Sequence, residues 1–214
     1  MKKGLRRKRS GTRPAKAPIK AILFDMGGVL LRISMEAETA RWSQLLGIPN
    51  GKLHRLYAKR MDALLEGKLS PEEFCREVED TLQVRQALAR WQQAYEETAT
   101  ISQRILFLVA RLRQRYRVGL LSNAGQLADR LNREEGLYDL FDPLILSCEV
   151  GVKKPSPRIY QIALQRLGLR PREVVFLDDR PENLVPPRKM GIRTIHYTSP
   201  GQLERDLRKL GVRW

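Results

Sequence analysis

Residues 21–30 read AILFDMGGVL, and this stretch decides the fold. Ile22 to Phe24 form an apolar run of strand length, Asp25 stands at its end, and Gly27 and Gly28 follow. Neither glycine has a Cβ to resist a tight turn or the close approach of a bound anion. The stretch predicts a buried strand that delivers a carboxylate to an accessible rim. By itself it also fits a strand ending in an Asx turn, and the remainder of the chain separates the two.

From Arg32 to about Ala99 the periodicity is helical. Trp42, Leu45 and Leu46 mark one amphipathic stretch, ended by Gly47-Ile48-Pro49-Asn50-Gly51, and Leu53 to Leu65 mark a second. Ser70-Pro71-Glu72-Glu73 combines an N-cap serine, a proline at the first helical position and a capping-box glutamate. Phe74, Val78 and Leu82 then share one face, and Leu88, Trp91 and Tyr95 belong to a last helix. From residue 100 strands and helices alternate. Ile101, Ile105, Leu108, Val109 and Leu112 make a helix stripe, and strands are expected at 117–121, 144–146, 174–177 and 192–197. With the first strand these five predict a mostly parallel α/β sheet covered on both faces, with residues 32–99 inserted as a helical unit.

The 214 residues carry a formal net charge of +16, from 40 Lys and Arg against 24 Asp and Glu. Nine of the basic residues lie in the first 20, which hold no acid. Residues 1–19 are therefore expected to be a basic, disordered tail, with contact to nucleic acid or another polyanion as its alternative use. No aromatic interleaves these charges to stack on bases. The tail lacks the apolar run of a signal peptide, and no other stretch is long enough for a bilayer, so a cytoplasmic protein without membrane contact is expected. Cys75 and Cys148 form no CxxC motif and read as reduced thiols. With only His54 and His196, a histidine-ligated zinc or a histidine-based triad is disfavoured.

In parallel sheets ligands bind outside the carboxyl ends of the strands. Those ends carry Asp25, then Ser122-Asn123, then Lys153-Lys154-Pro155 after the third strand, and Asp178-Asp179. A carboxylate, a hydroxyl, an ammonium and an acidic pair are thus expected on one rim.

These motifs resemble those of the haloacid dehalogenase-like hydrolase superfamily from Lys20 onward. ILFDMGGVL is similar to its first motif, LLSNA to its second, EVGVKKPSPRIY to its third and VVFLDDRPEN to its fourth. The insertion resembles the subclass I cap. The resemblance implies a Rossmann-like core under a helical lid, and a phosphatase-type hydrolase that acts on small phosphorylated metabolites through an aspartyl-phosphate on Asp25. It also implies Mg²⁺ held by Asp25, the Gly27 carbonyl and Asp179, with Asp178 and Asn183 in support. Lys154 would neutralise charge, and Ser122 and the Asn123 backbone would bind phosphoryl oxygens.

Gly27 departs from the family, where most phosphatases place an acid that protonates the leaving oxygen. Three readings follow. Either substrates are restricted to good leaving groups, such as sugar 1-phosphates; or the cap supplies the acid, through Glu36 or Glu38; or the chain binds a phosphorylated ligand with little catalysis. A dehalogenase is disfavoured because the acidic pair is intact. Arg32, Trp42, Tyr57 and Arg60 are the cap residues expected to face the site.

Overall fold

The computed structural model describes residues 17–214, so the basic stretch up to Lys16, with any polyanion contact it makes, lies outside the described residues. The chain opens with β1 (Ala21–Phe24) and β2 (Leu31–Arg32), followed by four helices: α1 (Met35–Leu46), α2 (Asn50–Leu65), α3 (Pro71–Leu82) and α4 (Ala87–Thr98). Next come β3 (Thr100–Ile101), α5 (Gln103–Leu112), β4 (Arg117–Ser122), α6 (Gln126–Glu134), β5 (Leu144–Leu146) and α7 (Ser147–Val150). The chain ends with α8 (Pro157–Leu167), β6 (Val174–Asp178), α9 (Pro181–Lys189), β7 (Arg193–His196) and α10 (Pro200–Lys209).

Five strands form a parallel sheet in the order β5-β4-β1-β6-β7. β1 is central, and its residues alternate between two apolar clusters: Ile22 and Phe24 face one, Ala21 and Leu23 the other. A strand covered on both faces needs this unbroken apolar run. Phe24 is level with Leu120 of β4 and Leu177 of β6, so the carboxyl ends of the three middle strands lie side by side.

β2 and β3 form a separate antiparallel ribbon, Leu31 opposite Ile101 and Arg32 opposite Thr100, and α1–α4 lie between its strands. Ile101 therefore belongs to the ribbon rather than to the α5 stripe, because Ser102 precedes the first helical residue. The helix ends are fixed by local capping. The Ser34 hydroxyl accepts from the Ala37 N–H, Ser70 and Glu73 close a capping box, and Gly47 ends α1 at φ +68°. The inserted helices pack around four aromatics, Trp42, Tyr57, Phe74 and Trp91, with the two indoles stacked at 5.1 Å.

Pro186-Pro187 leads the sequence to predict a late start or a kink in the helix after Asp179. α9 starts at Pro181, so the start is not late, and the helix runs on through both prolines. Pro187 has no N–H for the Asn183 carbonyl one turn back. That carbonyl accepts from the buried Tyr160 hydroxyl of α8 at 2.6 Å. No helix among the described residues is long and apolar enough to cross a membrane.

Candidate active site

Asp25 follows β1 directly, and its N–H donates to the Leu177 carbonyl at 2.9 Å, which carries the β1–β6 pairing one residue further. The carboxylate is thereby fixed at the strand end, where Oδ1 accepts from the Met26 N–H at 2.6 Å. Lys154, 2% exposed, reaches the same place from the loop after α7. Its Nζ lies 2.7 Å from Asp25 Oδ1 and 2.7 Å from Asp178 Oδ2. The Asn123 side chain holds the backbone of Lys154, donating to its carbonyl at 3.0 Å and accepting from its N–H at 2.7 Å.

Asp178 is fully buried at the end of β6. It accepts from the Asn183 amide at 3.0 and 3.1 Å and from the Arg180 N–H at 2.8 Å, in addition to the ammonium. Asp179 is partly exposed, and its carbonyl meets His196 Nε2 at 3.0 Å. Gly28, at φ +75°, is needed here: a Cβ on it would stand 2.1 Å from Asp179 Oδ2. Ser122 ends β4 on the other side of Asp25 and is buried.

Asp25, Asp178 and Asp179 each place a carboxylate oxygen within 4.8 Å of the others. Burial pushes the Asp25 carboxyl above the ordinary range against the pull of Lys154, and Asp178 adds to the rise. Burial, then Asp178, does the same to Asp179. Three acids against one ammonium leave surplus negative charge among hard oxygen donors, a set that fits a divalent cation such as Mg²⁺.

Beside this cluster lies a cavity of about 140 Å³ between core and inserted helices. Gly27, Ser122 and Asn123 line it on the core side, and Glu38, Tyr57 and Trp91 on the helical side. Of the cap residues expected to face the site, Tyr57 alone does so. Trp42 is fully buried with its indole N–H donating to the Ala87 carbonyl at 3.0 Å, and Arg60 is held by Glu77 at 2.8 Å. Arg32 is exposed on β2 and absent from the lining, as is the exposed Glu36. His196 and Trp91 are the residues that the sequence does not single out. For His196 a signal exists, since it ends β7 level with Asp178.

Acyl-CoA dehydrogenase family member 10 of Mus musculus is 29% identical over 227 residues, 97% of this chain, and the chain spans only 20% of that relative's length. D-ribitol-5-phosphate phosphatase of Bacteroides thetaiotaomicron is 28% identical over 202 residues, covering 88% of this chain and 97% of that protein. The crystal structure of a haloacid dehalogenase family enzyme of Bacteroides thetaiotaomicron in its magnesium complex superposes with a TM-score of 0.72 at 25% identity, over 86% of this chain and 94% of that one. The haloacid dehalogenase-like hydrolase family model matches residues 19–191, and the chain belongs to that family.

Proposed function

We propose that the chain hydrolyses small phosphate monoesters with Mg²⁺ through an aspartyl-phosphate on Asp25. The observation that carries this reading is the buried ammonium of Lys154 set 2.7 Å from both Asp25 and Asp178 at adjoining strand ends. A buried carboxylate held this way has its charge partly offset and its position fixed. It is an oriented nucleophile, and it divides one difficult displacement into two easier ones.

Asp25, Asp179 and the Gly27 carbonyl are the groups that would hold Mg²⁺, with Asp178 and Asn183 behind them. When bound, the ion supplies positive charge that offsets the repulsion between a phosphate dianion and a carboxylate. Lys154 stabilises charge that develops on the phosphoryl group, and the Ser122 hydroxyl and Asn123 N–H donate to its oxygens. The relative named D-ribitol-5-phosphate phosphatase supports a small phosphorylated metabolite as substrate, and the neighbour crystallised with magnesium supports the ion.

Gly27 offers no proton to that leaving group. Unless another group does, esters that need none, such as sugar 1-phosphates, are favoured. The test is phosphate release, with and without Mg²⁺, from an aryl phosphate, sugar 1-phosphates, terminal sugar phosphates and nucleotides. Mg²⁺-dependent turnover lost in Asp25→Asn is the expected result. No turnover from any of them replaces the enzyme with a protein that binds a phosphorylated ligand.

A further inference from the structure

Among the residues that line the cavity, Glu38 is the only carboxyl, and no Lys, Arg or His lines it. Glu38 is 6% exposed, in the first turn of α1, and among the described residues it forms no ion pair. A carboxyl buried without a cation is costly to ionise, so burial holds it toward its protonated form. Its neighbours hold it in one orientation: the Trp91 indole N–H donates to Oε1 at 2.6 Å. Oε2 has only the long contact from the Tyr57 hydroxyl, at 3.5 Å. One oxygen is thus occupied and the other is free to carry a proton.

We infer that Glu38, which lines the same cavity as Gly27 and Ser122, is the catalytic acid and base that position 27 does not supply. The inference rests on the phosphatase reading above. In the first step Asp25 forms a bond to phosphorus as the bond from phosphorus to the ester oxygen breaks. The electron pair stays on the departing oxygen, which takes the proton from Glu38 Oε2 and leaves as a neutral alcohol. In the second step water attacks phosphorus, its proton passes to the Glu38 carboxylate, and the bond to Asp25 breaks. Phosphate leaves with Asp25 and Glu38 restored.

The surroundings suit this cycle. Burial holds the Glu38 carboxyl up at about 7, against the hydrogen bonds from Trp91 and Tyr57. An acid in that range can both give and take a proton near neutral pH. The titratable groups around it are Tyr57 on α2 and Tyr95 on α4, both with hydroxyls pushed up by burial and by Glu38 itself. Neither is ionised in the range where Glu38 works. Glu36, the other candidate, is exposed, and the hydrogen bonds it accepts hold its carboxyl below the ordinary range, which unfits it as an acid.

The experiment compares esters of graded leaving-group basicity, from an acidic phenol to a plain alcohol, on wild type, Glu38→Gln and Gly27→Asp/Glu38→Gln. Wild type is expected to show a shallow dependence on leaving group and a fall in kcat above about pH 7. Glu38→Gln keeps an acceptor for the Trp91 indole. It should cost roughly 10²- to 10⁴-fold in kcat on alkyl esters and a much smaller factor on the acidic phenol, with the alkaline limb of the profile lost. The double variant should recover alkyl turnover. An equal loss on all esters, or a change in KM alone, overturns the proposal while leaving the phosphatase reading in place. So does a steep leaving-group dependence in wild type, which needs no variant to fold. Absence of Mg²⁺-dependent release from every ester, the acidic phenol included, overturns the phosphatase reading and this one with it.

Discussion

The Lys154 ammonium stands 2.7 Å from Asp25 Oδ1, with both side chains buried. Its other contact is to Asp178, and among the described residues it is the only cation paired with either carboxylate. Lys154→Met leaves both acids in a site that desolvates them. We expect a loss of roughly 3–5 kcal/mol in stability without added metal, the cost of breaking a buried pair from one side. Urea denaturation in a chelator measures it, and Asp178→Asn in the same background should recover part of the loss.

The two neighbouring glycines should respond in opposite ways. A Cβ on Gly27 meets nothing within 4 Å, so Gly27→Asp is expected to fold with stability within about 1 kcal/mol of wild type. A Cβ on Gly28 would stand 2.1 Å from Asp179 Oδ2, at a φ of +75° that side chains rarely adopt. Gly28→Ala should therefore displace Asp179 and abolish the thermal stabilisation that Mg²⁺ gives wild type. Melting curves with and without the ion compare all three.

Glu38 makes stability depend on pH in a defined direction. Its carboxyl moves from an ordinary value of 4.5 to about 7 on folding. Below the first value it is neutral in both states. Between the two, the folded state keeps a proton that the unfolded state releases, so stability falls as pH rises. Above the second the loss is complete, up to about 3 kcal/mol at 1.36 kcal/mol per pH unit. Glu38→Gln should be more stable than wild type at pH 8, and the difference should vanish toward pH 4. Groups common to both proteins cancel in this comparison.

Tyr160→Phe removes the donor to the Asn183 carbonyl. An orphaned buried acceptor costs about 1–3 kcal/mol. Pro187→Ala in the same background returns an N–H one turn along α9 and should recover much of that loss. The cycle of single and double variants isolates the compensation from the general effect of either change.

The strand ends were legible because their chemistry follows from position. Apolar runs mark strands, ligands sit beyond the carboxyl ends, and Asp25, Ser122 and Asp178 stand where those runs stop. Lys154 was legible by its place in a motif, although its burial was not. The helical wall of the cavity was harder to read. Glu36 and Glu38 look alike in sequence, since acids in a first turn suit the helix dipole. Only packing separates them, turning Glu36 to solvent and Glu38 beneath Trp91. Trp42 and Arg60 do not line the cavity because four inserted helices need an interior and an inter-helix clamp of their own, and these side chains provide them. Tyr160 gave no local signal, because the proline it compensates for lies on another helix.

The ribbon of β2 and β3 sets both chain crossings between core and insertion side by side. To the sheet, everything between those two short strands is one loop whose ends are already joined. Closure entropy rises only logarithmically with loop length, by about 0.6 kcal/mol per doubling. The helices can therefore be lengthened, shortened or replaced at little cost to the five strands. Such exchange would alter the wall that meets the substrate while leaving Asp25, Ser122 and Asp178 where the sheet puts them.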